Sequence, residues 1–222
     1  MSQRQHLLTR RAMLKLAGTV GVAAIGGAAL SACASGGGEA VSYSDAPASS
    51  NPAPEEAANT PQLGDKTLIV VFSWSGNTLS MANRINELAN ADFFRIETVE
   101  PYPDDVDATI NQARSEQDTG FIPELANSVE NWNDYRTVFL GYPIWWYELP
   151  QAVKGFIQSY DWAGKTIIPF SSHEGNGFSG TPADIQEMCP EAGILQGISI
   201  QGEAVAASLD SIDAWYDGLA LT

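Results

Sequence analysis

At 222 residues the chain is long enough to bury one substantial core, and its 11 basic against 27 acidic residues give a formal net charge of −16. So acidic a body repels nucleic acid and anionic headgroups, which excludes nucleic-acid binding and suits high solubility or a cationic partner. Two histidines, His6 and His173, are too few for a histidine-based metal cluster; no CxxC, HExxH or DxDxDG pattern occurs, and Cys33 and Cys189 are expected to form no disulfide.

The charge is uneven along the chain. Residues 1–32 hold Arg4, Arg10, Arg11 and Lys15 and no acidic residue. This segment reads as a signal peptide, with a basic start followed by a weakly hydrophobic run through Leu16, Val20, Val22, Ile25 and Leu30. That run is too rich in Gly and Ala for a stable transmembrane helix. Within it, Thr9-Arg10-Arg11-Ala12-Met13-Leu14-Lys15 resembles a twin-arginine export motif, and Leu30-Ser31-Ala32-Cys33 resembles a bacterial lipobox. The second resemblance implies that Cys33 becomes the lipidated first residue of the mature protein. The expected location is therefore extracytoplasmic, anchored to the cell membrane, with each buried methylene contributing about 0.8 kcal/mol. Twin-arginine export, as that motif implies, carries proteins already folded, which suits a chain that takes up its cofactor first. Residues 33–64 follow as a linker, Gly/Ser-rich at first and then punctuated by Pro47, Pro52, Pro54 and Pro61. With no apolar periodicity the segment is expected to be a disordered spacer.

Residues 65–222 alternate between strand and helix patterns, as one α/β domain. Thr67 to Ser73 is a continuous apolar, β-branched run, the signature of a central parallel strand. Thr78 to Leu88 predicts a helix with Leu79, Ala82, Ile85 and Leu88 facing the sheet. Phe93 to Val99 is the second strand, and a polar helix is expected over Val106 to Glu116. Thr137 to Tyr142 is the third strand, followed by a helix from Gln151 to Ser159 introduced by Pro150. Lys165 to Phe170 is the fourth strand. Thr181, as N-cap, opens a short helix to Met188. Leu195 to Ile200 is the fifth strand, and Leu209 to Leu219 the closing helix. Five strands with helical crossovers predict a doubly wound, three-layer sandwich. Ligands in such sheets bind at the carboxyl ends of the strands, so the loops after strands one, three and four are the candidate site.

The first of these loops, Ser73-Trp74-Ser75-Gly76-Asn77-Thr78, leads a hydrophobic strand into a helix N-terminus. Helix amides and the macrodipole favour a phosphate there. Ser73, Ser75 and Thr78 add hydroxyl donors, while Gly76 and Asn77 allow a tight backbone path. No Lys or Arg lies in the loop, and it is not a Walker P-loop. The second loop runs Gly141-Tyr142-Pro143-Ile144-Trp145-Trp146-Tyr147-Glu148-Leu149-Pro150. The third runs Ser171-Ser172-His173-Glu174-Gly175-Asn176-Gly177-Phe178-Ser179.

Ser73-x-Ser75-Gly76-Asn77-Thr78 after a strand resembles the flavodoxin phosphate loop, with Ser75 where many members carry Thr. The second loop resembles the corresponding segment of the flavodoxin-like subgroup with a Gly-Tyr-Pro-x-Trp-Trp signature. The third is similar to that subgroup's glycine-rich loop, interrupted here by Glu174 and Asn176. The resemblance implies a flavodoxin-like, five-stranded parallel sheet of order 2-1-3-4-5 and FMN as the cofactor. The cofactor-binding residues it implies are Ser73, Trp74, Ser75, Gly76, Asn77 and Thr78 at the phosphate and Pro143, Ile144, Trp145 and Trp146 along the ring. Ser172, His173, Gly175 and Gly177 complete the set. Which of Trp74, Trp145 and Trp146 lies on the ring stays open. The function it implies is an FMN-binding electron carrier shuttling between redox protein partners with basic docking surfaces. The alternatives are an FMN-dependent NAD(P)H:quinone-type oxidoreductase, with His173 and Tyr142 as candidates for acid–base work, and a binding module without flavin. Cys189 is expected to be structural.

Overall fold

The computed structural model describes residues 66–221; the expected signal peptide, Cys33 and the expected linker to residue 64 lie outside the described residues. The run from residue 67 to 71 is the apolar centre of strand β1 (Lys66–Val71), where side chains alternate between two cores. Leu68 and Val70 pack on one face with Val138, Leu140 and Phe156. Ile69 and Val71 pack on the other with Met81, Ile85, Phe139 and Ile212. A strand buried on both faces has to be apolar throughout, which is why this run shows no polar alternation.

The elements follow as α1 (Asn77–Ala89), β2 (Asp92–Arg95), α2 (Val106–Thr119), β3 (Tyr135–Pro143), α3 (Gln151–Gln158), β4 (Thr166–His173), α4 (Thr181–Met188), β5 (Gly193–Ile194), β6 (Ile198–Gln201) and α5 (Leu209–Gly218). Single 3-10 turns occupy Trp132–Asp134 and Gly202–Ala207. The strands pair in parallel in the order β2-β1-β3-β4-β5, with β6 also on β4. This is the doubly wound α/β sandwich that the sequence pattern predicts, with the order 2-1-3-4-5 that the resemblance implies. Helices α1 and α5 cover one face and are tied by Arg84, whose Nε and Nη2 donate to the two carboxylate oxygens of Asp213 at 2.7 and 2.5 Å.

Several boundaries differ from expectation, the second strand ending at Arg95 rather than Val99, and three of the differences have a plain structural cause. The fifth strand, expected as one run from Leu195 to Ile200, is two short pieces. Its register against β4 shifts by one residue, from Thr166↔Gly193 to Phe170↔Ile198. The carbonyls of Lys165 and Ile167 accept from Gly193 and Leu195, so alternation turns the backbone of Pro169 toward the same edge, where proline has no N–H to give. The edge chain bulges there and passes close at Gly197, whose Cβ would lie 2.2 Å from the Pro169 carbonyl. Second, β4 runs on through Ser171, Ser172 and His173, so these residues belong to the strand rather than to a loop. Third, the N-cap of α4 is Gly180, not Thr181. The Thr181 hydroxyl instead donates to the Phe178 carbonyl at 2.9 Å and meets the Tyr142 hydroxyl at 2.9 Å.

Lys165 precedes β4 and is buried at the opposite end of the sheet from the candidate loops. Its ammonium donates to the carbonyls of Trp132 and Tyr135 at 3.0 and 2.5 Å and stands 4.8 Å from the Trp132 ring centroid. Burial lowers its pKa from the usual lysine value. The free thiol of Cys189 is buried in the core, and burial pushes it up to about 11, as befits a structural rather than a reactive cysteine.

Candidate functional site

The sheet order places the carboxyl ends of β1, β3 and β4 side by side. Val71 pairs with Gly141, and Pro143 with Ser172. The chain leaves β1 through Ser73-Trp74-Ser75 and enters α1 at Gly76, in the left-handed region at φ +91°. No side chain caps this helix, and nothing lies within 4 Å of the position a Gly76 Cβ would take. The first intrahelical bond runs from Ser80 N–H to the Gly76 carbonyl at 2.9 Å, so the amides of residues 77–79 have no carbonyl one turn back. Of the α-helices among the described residues, only α2 has its N-terminus closed by a side chain, Asp105, whose carboxylate accepts from Ala108 N–H at 2.8 Å. The start of α1 is thus left open for an anion, with the helix dipole behind it.

The hydroxyls of this loop divide their tasks. Ser73 is buried and accepts from Gly76 N–H at 3.2 Å, bracing the turn from inside. Thr78 is buried too, and its hydroxyl pairs with that of Ser172 at 2.7 Å, linking α1 to β4. Ser75 is exposed, and its hydroxyl has no recorded partner among the described residues. A cation does approach the loop, from β2: Arg95 Nη2 donates to the Ser73 carbonyl at 3.4 Å.

A cavity of about 480 Å³ opens at this edge and joins all three loops. Trp74, Ser75 and Asn77 line it from the first, Pro143, Ile144, Trp145 and Trp146 from the second, and Ser172 and His173 from β4. Ser73, Gly76, Thr78, Gly175 and Gly177 shape its surroundings without lining it. Gly175 and Gly177 take φ +123° and +57° and set the turn that carries Glu174 and Asn176 to the wall. Helix α2 supplies a wall that sequence reasoning missed, through Val106, Thr109, Ile110 and Ala113. Its signal was present as a Val106, Ile110, Ala113 stripe at helical spacing in an otherwise polar helix. Trp74 and Ser75 also line a second cavity of about 500 Å³, which includes Arg95 and Tyr102. The indole is held in place by its Nε1–H, which donates to the Pro103 carbonyl at 2.8 Å.

The second loop is a two-residue hairpin. Trp145 and Glu148 exchange both backbone hydrogen bonds, at 3.1 and 3.0 Å, around Trp146 and Tyr147. Both central residues have positive φ, +50° and +68°, a geometry usually given to Asn-Gly and costing large side chains about 1–3 kcal/mol each. The result aims the three aromatics differently. Trp145 turns inward, edge-on to Phe72 and Tyr102 at 5.3 and 5.0 Å between centroids. Trp146 and Tyr147 stay exposed, with the Arg114 guanidinium 5.1 Å from the Trp146 ring centroid. Gln117 ties α2 to this hairpin by donating to the Trp145 carbonyl at 2.8 Å. His173 Nδ1 accepts from Gly175 N–H at 2.8 Å. Tyr142 is fully buried, and its hydroxyl pairs with that of Thr181; burial raises its phenol above the ordinary value, the setting of a core residue rather than of an exposed acid or base.

An uncapped helix start beside an aromatic-lined cavity has the chemistry to accept a planar ring carrying a phosphate. The family model described as flavodoxin matches residues 66–219. The chain belongs to the flavodoxin family. Among solved structures, this flavodoxin is similar to a chain from Bacteroides uniformis described as a flavoprotein, at 28% identity and TM-score 0.60, covering 69% of this chain and 98% of that one. A second such chain, from Bacteroides eggerthii, is 26% identical with TM-score 0.57, covering 67% and 98%. A flavoprotein from Lactobacillus acidophilus in complex with FMN shares the fold at 21% identity and TM-score 0.53, covering 64% and 97%. No curated protein matches the chain.

The Thr78–Ser172 bridge makes the site part of the fold's own stability. Thr78→Val keeps the shape but leaves the buried Ser172 hydroxyl without its partner. Urea unfolding should show a loss of about 1–3 kcal/mol; an unchanged midpoint would mean the bridge contributes nothing.

Proposed function

We propose that this flavodoxin binds FMN and carries electrons between protein partners outside the cytoplasm, tethered to the membrane through Cys33. The observation that carries the FMN reading is the uncapped start of α1, open at Gly76 and joined by Ser75 and Asn77 to one aromatic-lined cavity. The residues present fit the group. The amides at the head of α1, the Ser75 hydroxyl and the Asn77 amide would hold the phosphate. The backbone of Pro143, Ile144 and Trp145, with Trp74 and Trp146, would flank the ring, and α2 would exclude water from its other side. The presence of FMN in the Lactobacillus acidophilus protein of the same fold supports this assignment.

Bound FMN would supply reversible one- and two-electron chemistry. The protein's part is position and field. Glu174 on the cavity wall and the acidic body oppose added negative charge, which lowers the potential of the second electron. The same acidic surface suits a basic partner. Potentiometric titration of the FMN-loaded protein is expected to give two separated one-electron steps, the second below that of free FMN. A single two-electron step near the potential of free FMN would refute the carrier reading.

The tether rests on Leu30-Ser31-Ala32-Cys33 after the weakly hydrophobic run. In a bacterial host, Cys33→Ala should move the full-length protein from the membrane fraction to the soluble one. A variant that still sediments with membranes would show that Cys33 is not the anchor.

A further inference from the structure

A fourth segment reaches the phosphate end of the site. Strand β6 pairs with β4 as far as Gln201, opposite His173, and so delivers Gly202 to the same edge as the three loops. Gly202 opens the 3-10 turn Gly202–Ala207 and is buried. A Cβ there would lie 2.6 Å from Asn77 Nδ2, 3.6 Å from Asn77 Cγ and 2.9 Å from Glu174 Oε1. The backbone of Gly202 is not in the left-handed region, so glycine supplies space here rather than an unusual conformation.

We propose that Gly202 is a positioning residue that sets the Asn77 amide for the flavin phosphate, and so contributes to selection of FMN over riboflavin. The inference rests on the phosphate reading above. Asn77 is the first residue of α1, whose backbone is fixed by the helix and by the Arg84–Asp213 tie to α5. A methyl group at position 202 leaves the Asn77 side chain only rotation away from its place. Glu174, exposed on a turn, can swing aside at little cost. The effect should therefore fall on the amide. FMN and riboflavin differ only in the phosphate, so the loss should appear with the first ligand and not with the second.

The test titrates the whole protein with FMN and with riboflavin, as wild type, Gly202→Ala, Asn77→Ala and the double variant. The wild type should prefer FMN. Gly202→Ala should lower FMN affinity about tenfold or more, the loss of one hydrogen bond to a charged group, and leave riboflavin affinity unchanged. Asn77→Ala should lose about as much with Gly202 in place, and the double variant no more than either. Equal losses for both ligands, additive losses in the double variant, or an unchanged FMN affinity in either single variant would overturn the role of Gly202. A wild type that binds riboflavin as tightly as FMN would instead sink the phosphate reading itself, and this inference with it.

Discussion

The start of α1 is left uncapped beside a loop that holds no cation of its own, the proposed seat of a phosphate, and much of the architecture answers to that constraint. In the proposed site the uncapped amides at the start of α1 would do the holding, so the loop before them has to stay short and leave its space open, as Gly76 does at φ +91°. The helix itself has to be rigid. Met81, Ala82 and Ile85 are fully buried against β1, β3 and β4, each large side chain contributing about 1.5–3 kcal/mol, and Arg84 fastens the solvent side to α5. The Thr78–Ser172 bridge then locks the helix start to the strand carrying the glycine-rich turn.

The ring end of the site follows different physics. It is built from apolar contact and from conformational strain. Trp145 is fixed by edge-on packing with Phe72 and Tyr102, and the strained turn at Trp146 and Tyr147 holds two large aromatics at the cavity mouth. Strain of this kind persists only where the surroundings over-determine it. Here the paired hydrogen bonds of Trp145 and Glu148 and the Gln117 contact from α2 do so. A rigid anion site thus adjoins an aromatic mouth exposed to solvent, an arrangement suited to a cofactor whose ring edge must be reached from outside.

What the sequence made legible was the chemistry that is local in the chain. The alternation of strands and helices, the loop after β1 and the two aromatic and glycine-rich loops could be read because each depends on adjacent residues, whereas the strand order came only with the resemblance those loops carry. What escaped depends on partners far away. Pro169 splits the edge strand some thirty residues downstream through a hydrogen bond it cannot donate. Ser172 and Thr78, read separately as loop residues, are a buried pair 94 positions apart. The α2 wall escaped because its Val106, Ile110 and Ala113 stripe faces a cavity rather than the core, so the helix as a whole reads as polar. Tyr142, a candidate acid–base group by sequence, proved to be a core residue satisfied by Thr181. Gly202 carries no local signal at all, since its importance lies in the space it leaves for Asn77.

The function proposed for this protein depends on the occupant of the cavity of about 480 Å³. The most direct measurement is a crystal structure of the protein grown with FMN. The account predicts the phosphate at the amides of residues 77–79 and the ring between the Pro143–Trp146 segment and α2. Density for the flavin elsewhere, or a cavity that stays empty at saturating FMN, would contradict it.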